Sequence, residues 1–130
     1  MRPWCLGTGV ATWATVCETA GSLPGAQLET GNDTNPAWRV NNRVIVRRNP
    51  VLDREEEGEV IAVRCQLAER AALLAESPAA FFLTEHWAKS RNPSILVRLT
   101  LVDEQQLGEL ITDAWRARAT KKQQAALDSN

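Results

Sequence analysis

From Pro78 to Lys122 the chain reads PAAFFLTEHWAKSRNPSILVRLTLVDEQQLGELITDAWRARATKK. Two strand-like runs, Phe81 to Thr84 and Ile95 to Leu101, flank a polar loop that contains Pro93. Asp103 and Gln106 follow at the spacing of a capping box, in which a side chain at each end satisfies a free backbone N–H of the first helical turn. Leu107, Leu110, Ile111, Ala114 and Trp115 then recur at i, i+3, i+4, i+7 and i+8, which is one stripe of a helix. An amphipathic helix leaving a strand buries that stripe against the sheet. This segment therefore predicts a helix-on-sheet layer.

The preceding residues supply the other pieces. Thr12 can cap a first helix, with Trp13, Val16, Cys17 and Ala20 on one face. Gly21 and the Pro24-Gly25 pair stop it. Gln27 to Thr30 reads as a short edge strand, and residues 31–36 (GNDTNP) read as a loop. In AWRV-NN-RVIVRR, two strand-like runs surround Asn41-Asn42, and asparagine tolerates the positive φ angles of a type I′ hairpin. A charged connection over 49–58 leads to another strand, residues 59–65. Leu67, Ala71, Leu74 and Ala75 predict a second helix, stopped at Ser77-Pro78. The expected order is α-β(3)-α-β(2)-α: an α+β, two-layer chain with an antiparallel sheet and helices on one face.

At 130 residues the chain suits a single domain with one core. Its apolar runs are only a few residues long, far short of the roughly 20 that span a bilayer. The beginning, MRPWCLGTGVATW, has no apolar run of about 7–15 residues to act as a signal-peptide core. A cytoplasmic location is expected, with no membrane segment. Cys5, Cys17 and Cys65 form no CxxC pair, which argues for free thiols and against a disulfide framework or structural zinc. The formal net charge is -1, so no global positive field draws nucleic acid. The charge is uneven, however. Residues 38–50 hold Arg39, Arg43, Arg47 and Arg48 and no acid, residues 53–59 hold five acids and one arginine, and residues 116–122 hold four bases and no acid.

Taken together, SLPG (22–25), NPAWRV (35–40), VRCQLAERAALLA (63–75), FFLTEHW (81–87), SILVRL (94–99) and VDEQQLGELITDAWRARATKK (102–122) resemble, in order and spacing, the MmcQ/YjbR-like proteins. These are small bacterial domains described as double-wing DNA binders. The resemblance runs from about Ala11 to Ala126. It implies a single domain over 11–126, a disordered lead over 1–10 and a flexible tail over 127–130. It further implies a fold similar to frataxin-like (CyaY-like) and secretion-chaperone-like domains, and a DNA-binding role. It carries no catalytic residue across. Two departures are Gln66, where the family often has Asp as a helix cap, and Thr34-Asn35-Pro36, where it often has Gly-Thr-Pro. Because the resemblance starts near Ala11, the physiological start is expected near Val10. N-terminal sequencing that reads Met1 or Arg2 would overturn that expectation.

Four groups of residues carry candidate chemistry. With helices on one face, alternate strand residues project from the other. Arg39, Arg47 or Arg48, Arg64 and Arg98 come from four strands and can form a basic strip for phosphates, with Trp38 or Trp87 beside it for stacking. The alternative is a solvated face whose arginines pair with Glu29, Glu59 or other acids. Arg116, Arg118, Lys121 and Lys122 at the end of the last helix complement its dipole, or extend the phosphate-contacting surface. The acidic run Asp53, Glu55, Glu56, Glu57 and Glu59 lacks the regular spacing of a hard-cation site and reads as a solvated loop. His86, the lone histidine, has no evident nucleophile near it, and its neighbours on a strand would point to opposite faces.

No GxSxG, HExxH, Walker or dinucleotide-binding glycine pattern occurs, so neither an enzyme nor a cofactor nor a metal is expected. The function expected is nucleic-acid (DNA) binding through phosphate contacts of Arg39, Arg47, Arg48, Arg64, Arg98, Arg116 and Lys121. A protein-interaction or chaperone-like adaptor on the same face is the alternative, and the chain is expected to be a monomer.

Overall fold

In the computed structural model the described residues are 11–30, 36–48, 59–89 and 93–128. The expected lead over 1–10, the acidic run from Asp53 to Glu57 and the last two tail residues lie outside them. Helix α1 (Trp13–Gly21) leads into strands β1 (Ala26–Glu29), β2 (Ala37–Val40), β3 (Arg43–Arg48) and β4 (Val60–Arg64). Helix α2 (Leu67–Glu76), strand β5 (Phe81–Phe82), helix α3 (Glu85–Ala88), strand β6 (Ser94–Arg98), and helices α4 (Glu104–Arg116) and α5 (Lys121–Asp128) complete the order. The six strands form one antiparallel sheet, β1-β2-β3-β4-β6-β5.

The α+β class and the antiparallel sheet match the expectation from sequence, and the order needs correcting in three places. The edge run at Ala26–Glu29 joins the sheet, so four strands rather than three precede α2. His86 lies in α3 rather than on a strand, because the β5 ladder ends at Phe82 and Thr84 starts a helical turn. The basic tail forms a further helix, Lys121–Asp128, that the expected order did not include.

Local chemistry explains the elements. The Thr12 hydroxyl accepts from the Thr15 backbone N–H, and the Thr15 hydroxyl accepts in return from the Thr12 N–H. Asp103 accepts from the Gln106 N–H at 2.7 Å. Asn41 and Asn42 take φ values of 52° and 66°, the left-handed pair that a two-residue hairpin requires. Gln66 provides no side-chain cap, in keeping with its departure from Asp. The α2 stripe differs from the reading by period: Leu73 and Leu74 pack on the core while Leu67 is 60% exposed.

The core lies between one sheet face and α1 with α4. Val40, Ile45, Val46, Ile61, Val63, Ile95 and Val97 meet Val16 and Ala20 of α1 and Leu107, Ile111, Ala114 and Trp115 of α4. Burying side chains of this size contributes roughly 1.5–3 kcal/mol each. The Trp115 indole N–H donates to the Pro24 carbonyl at 2.8 Å, which satisfies the polar atom of the largest buried residue. The opposite face is not bare sheet. Val60, Ala62, Phe82 and Leu96 form a second apolar cluster there, and Trp87 of α3 packs on it. One short helix thus sits on the face expected to be free of helices.

Candidate nucleic-acid interface

A β-bulge decides which arginines share that face. Trp38 pairs with Val46 and Arg39 with Val44, so Ile45 is the extra residue in β3. Without the bulge, period-2 alternation would send Ile45 to the face opposite Val46. With it, both enter the core, each at 0% exposure. Val44 and Arg47 therefore face the same side although they are three residues apart. Cross-strand pairing extends the set: Arg47 lies opposite Ala62, and Arg64, two residues on from Ala62, lies opposite Ser94.

These residues line a cavity of about 550 Å³ with Arg39, Asn42, Arg43, Arg118 and Trp87. Five arginines thus surround one concavity, and the described residues of its lining include no acidic side chain. Val44, Ala62 and Ser94 lie between them on strands. Asn42 and Arg43 come from the hairpin, Trp87 from α3, and Arg118 from the turn between α4 and α5.

Arg118 reaches the site through local capping that the basic composition of the tail conceals. The Thr120 N–H donates to Gln123 Oε1 at 2.9 Å, and the Gln123 N–H donates to the Thr120 hydroxyl at 3.1 Å. This T-x-x-Q pair is a capping box, and it is the sequence signal that would have located α5. Asn41 Nδ2 then donates to the Arg118 carbonyl at 2.7 Å and to Gln123 Oε1 at 3.1 Å, tying the hairpin to the α4–α5 turn.

The electrostatics are those of a crowded cationic site. Burial, followed by the Arg118 and Arg43 charges, lowers the pKa of Arg64. The Nε atoms of Arg64 and Arg118 are buried and have no hydrogen-bond partner among the described residues. Arg39 is ion-paired with Glu29 at 2.6 Å and also donates to the Asn42 carbonyl. The Arg39 guanidinium holds the Glu29 carboxyl below its usual range.

The other expected site residues fall elsewhere. Arg48 lies opposite Ile61 on the helix side, ion-paired with Glu59 and 5.5 Å from the Trp13 ring centroid. The bulge and strand parity separate it from Arg47. Arg98 shares the cavity's face but lies opposite Val60, at the far end of the β4–β6 ladder from Ser94. There it stacks 4.0 Å from the Phe82 ring centroid and donates to the Ala79 carbonyl at 2.8 Å. Arg116 pairs with Asp128 at 3.0 Å, and Lys121 begins α5 outside the cavity lining. Trp38 is buried against α1 on the helix side, so of the two tryptophans considered for stacking, Trp87 lines the cavity. Arg43 and Arg118 are the members that strand alternation alone missed.

A second cavity, of about 520 Å³, borders the first through Arg64 and Arg118 and includes Cys65, Glu69, Asp113 and Arg116. Burial pushes the Cys65 thiol up to about 11, with a smaller contribution from Glu69. Burial and then Asp113 raise the Glu69 carboxyl. Among the described residues Cys17 and Cys65 are free thiols. Among the described residues no group of three or more His, Cys, Asp or Glu side chains could hold a metal ion. No described helix is long and apolar enough to cross a membrane.

The profile of the YjbR family matches residues 21–117. The chain belongs to the YjbR family. Two uncharacterised mycobacterial proteins, one from Mycobacterium tuberculosis strain H37Rv and one from Mycobacterium bovis, are each 30% identical over 125 residues, covering 87% of this chain and 92% of theirs. The crystal structure of a Deinococcus radiodurans protein with a DUF419 domain superposes with a TM-score of 0.67 at 16% identity, covering 93% of this chain and 91% of that one. At that identity the likeness is one of fold. The family match spans the whole sheet and α4, so Arg39, Arg43, Arg47 and Arg64 lie within it and Arg118 lies one residue past its end.

Proposed function

We propose that this YjbR-family protein is a non-catalytic nucleic-acid-binding module of the cytoplasm that contacts phosphates through the arginine cavity. The observation that carries the reading is the convergence of Arg39, Arg43, Arg47, Arg64 and Arg118 on one concavity, with no acid among the described residues of its lining. Guanidinium groups pair with phosphate oxygens in a bidentate fork, and a concave site with low-dielectric walls concentrates their field. A net charge of -1 weakens long-range attraction but leaves this local field in place. The revised contact set is Arg39, Arg43, Arg47, Arg64 and Arg118. Arg98 and Arg116 sit outside it, with Phe82 and Asp128 as their neighbours.

Titration of labelled single- and double-stranded DNA and RNA at low and at physiological salt tests the reading. Phosphate contacts release counterions, so affinity falls steeply as salt rises, and each contacting arginine removed reduces the logarithmic salt slope by about 1. Arg64→Gln and Arg118→Gln are expected to weaken binding and flatten the slope, while Arg98→Ala leaves both unchanged. Absence of binding at low salt refutes the function. Binding unaltered in both glutamine variants refutes the site.

A further inference from the structure

We infer that the arginine cavity takes an unpaired nucleobase, stacked on Trp87, and that the protein thereby selects single-stranded over double-stranded nucleic acid. The inference rests on the nucleic-acid reading above and names the part of the ligand that enters.

Size gives the first argument. The cavity holds about 550 Å³. Volumes of roughly 300–1,000 Å³ accommodate a drug-sized molecule. A phosphate group fills a small part of that space, whereas a nucleotide with its base fills much more of it.

The lining gives the second argument. Between the arginines lie Val44 and Ala62 on the strands, and Trp87 joins them from α3. Trp87 is half-buried: it packs on the cluster of Val60, Ala62, Phe82 and Leu96 and also lines the cavity. Ala62 is the smallest member of that cluster, and its single methyl group leaves depth beside the indole. Among the described residues of the lining, Trp87 is the one aromatic. An apolar floor with an indole at its side attracts the face of a base and offers nothing to a phosphate. Phe82, on the same sheet face, is already stacked by the Arg98 guanidinium 4.0 Å from its centroid.

Spacing gives the third. Arg39 lies opposite Val44 across β2 and β3, and Arg47 lies opposite Ala62 across β3 and β4. Directly opposed residues on one face have Cβ atoms about 4.5–5.5 Å apart. Each apolar floor residue therefore has an arginine stem at its side. A nucleotide has the same alternation, an apolar base face joined through one sugar to a phosphate. In a duplex each base is covered by its stacked neighbours and its partner, so it enters a cavity only after unpairing and unstacking. An unpaired base avoids that cost, and every base has a π-face, so selection for single strands comes with little sequence preference.

The unpaired base has two possible sources, a single strand and a free nucleotide. The test uses a labelled oligothymidylate of about 12 residues, within the length that small binding domains cover. It is compared with an abasic strand of the same length and phosphate number, and with the duplex that the oligothymidylate forms with its complement. Anisotropy at low salt gives the affinities of the parent chain, Trp87→Leu, Trp87→Phe and Arg64→Gln, and circular dichroism confirms that each variant is folded. The parent chain is expected to bind the oligothymidylate about tenfold more tightly than the abasic strand or the duplex. Trp87→Leu should lose this preference while keeping the parent's affinity for the abasic strand. Trp87→Phe, which retains an aromatic ring, should keep part of it. Arg64→Gln should weaken binding of both strands alike.

Equal affinity of the parent chain for the oligothymidylate and the abasic strand overturns the stacked base and leaves the phosphate contacts standing. Duplex bound as tightly as the single strand overturns the selection. A loss in Trp87→Leu that is as large on the abasic strand overturns stacking, since Trp87 then only supports the arginines. Thymidine 5′-monophosphate competing in the strand's own concentration range overturns the strand as the source and assigns the base to a free nucleotide. Competition only at far higher concentration supports the strand. Absence of binding by all three at low salt overturns the nucleic-acid reading as well.

Discussion

The Asn41 side-chain amide donates to the Arg118 carbonyl oxygen at 2.7 Å, joining the hairpin turn to the α4–α5 turn across 77 residues of chain. This bond holds together the two segments that contribute Arg43 and Arg118 to the cavity. Asn41 also carries a positive φ of 52°, so its position has two separable roles. Asn41→Gly keeps the backbone conformation and removes the bonds, and is expected to cost about 0.5–1.5 kcal/mol in urea denaturation. It should lower anion affinity more than its small stability loss suggests, because Arg118 is released. Asn41→Ala adds left-handed strain of about 1–2 kcal/mol. Equal anion affinity in Asn41→Gly and the parent chain would show that this tie does not position Arg118.

Gly25 places the start of the sheet under α5. Its φ is 77°, and a Cβ there would lie 2.2 Å from Gln123 Nε2. Gly25→Ala therefore forces an unfavourable backbone conformation and displaces the amide that caps α5 and receives Asn41. The expected loss is about 2–3 kcal/mol, of which about 1–2 kcal/mol is backbone strain. In a Gln123→Ala background the same glycine substitution should cost only the strain. Urea midpoints of the four chains give this comparison, and a full cost retained in the Gln123→Ala background counts against the packing argument.

Trp115 is fully buried and donates to the Pro24 carbonyl at 2.8 Å. Trp115→Phe deletes that donor, leaves the carbonyl without its partner and opens a void where the larger ring system sat. A destabilisation of about 2–4 kcal/mol is expected from the cavity and the lost bond together. Chemical denaturation followed by far-ultraviolet circular dichroism measures it. A cost below about 1 kcal/mol would mean that the core relaxes around the smaller ring.

Cys65 gives a pH-dependent prediction. Burial raises its folded pKa to about 11, above the unfolded thiol value of about 8.5. The folded chain therefore keeps its proton where the unfolded chain has lost it. The stability linked to this group is fully present below about 8.5 and is lost as pH rises toward about 11. Replacing the thiol by Cys65→Ala should flatten the alkaline limb of stability against pH. In the folded parent chain, iodoacetamide should modify Cys65 slowly at pH 8 and progressively faster toward pH 11, since the thiolate is the nucleophile. Peptide mass spectrometry resolves the site, and rapid modification at pH 8 would contradict the raised value.

Much of the fold was legible because its signals are local. The Asp103 cap, the Leu107-to-Trp115 stripe and the Asn41-Asn42 turn each depend on residues a few positions apart; the stripe and the turn have the expected form, and of the expected capping box the Asp103 half forms. The T-x-x-Q box at Thr120 was equally local, but the surrounding lysines and arginines read as a dipole-matched tail and hid it. The short α3 helix at Glu85–Ala88 was hidden by the apolar run of FFL, which suggests a longer strand than the sheet admits.

The amino-acid sequence by itself determined the family, the α+β class, the capped helices and the supply of arginines on the strands. The tertiary structure decided which arginines meet. Strand alternation has a period of two, and the Ile45 bulge resets it within β3, sending Arg47 to the cavity and Arg48 to Trp13 and Glu59. Arg118 joins them through a hydrogen bond from a turn 77 residues away, and no local pattern encodes that distance. Arg98, placed on the correct face by parity, is carried by ladder register to the far end of β6. Periodicity assigns a side chain to a face. Register, bulges and long-range hydrogen bonds assign it to neighbours, because only the assembled backbone sets those separations.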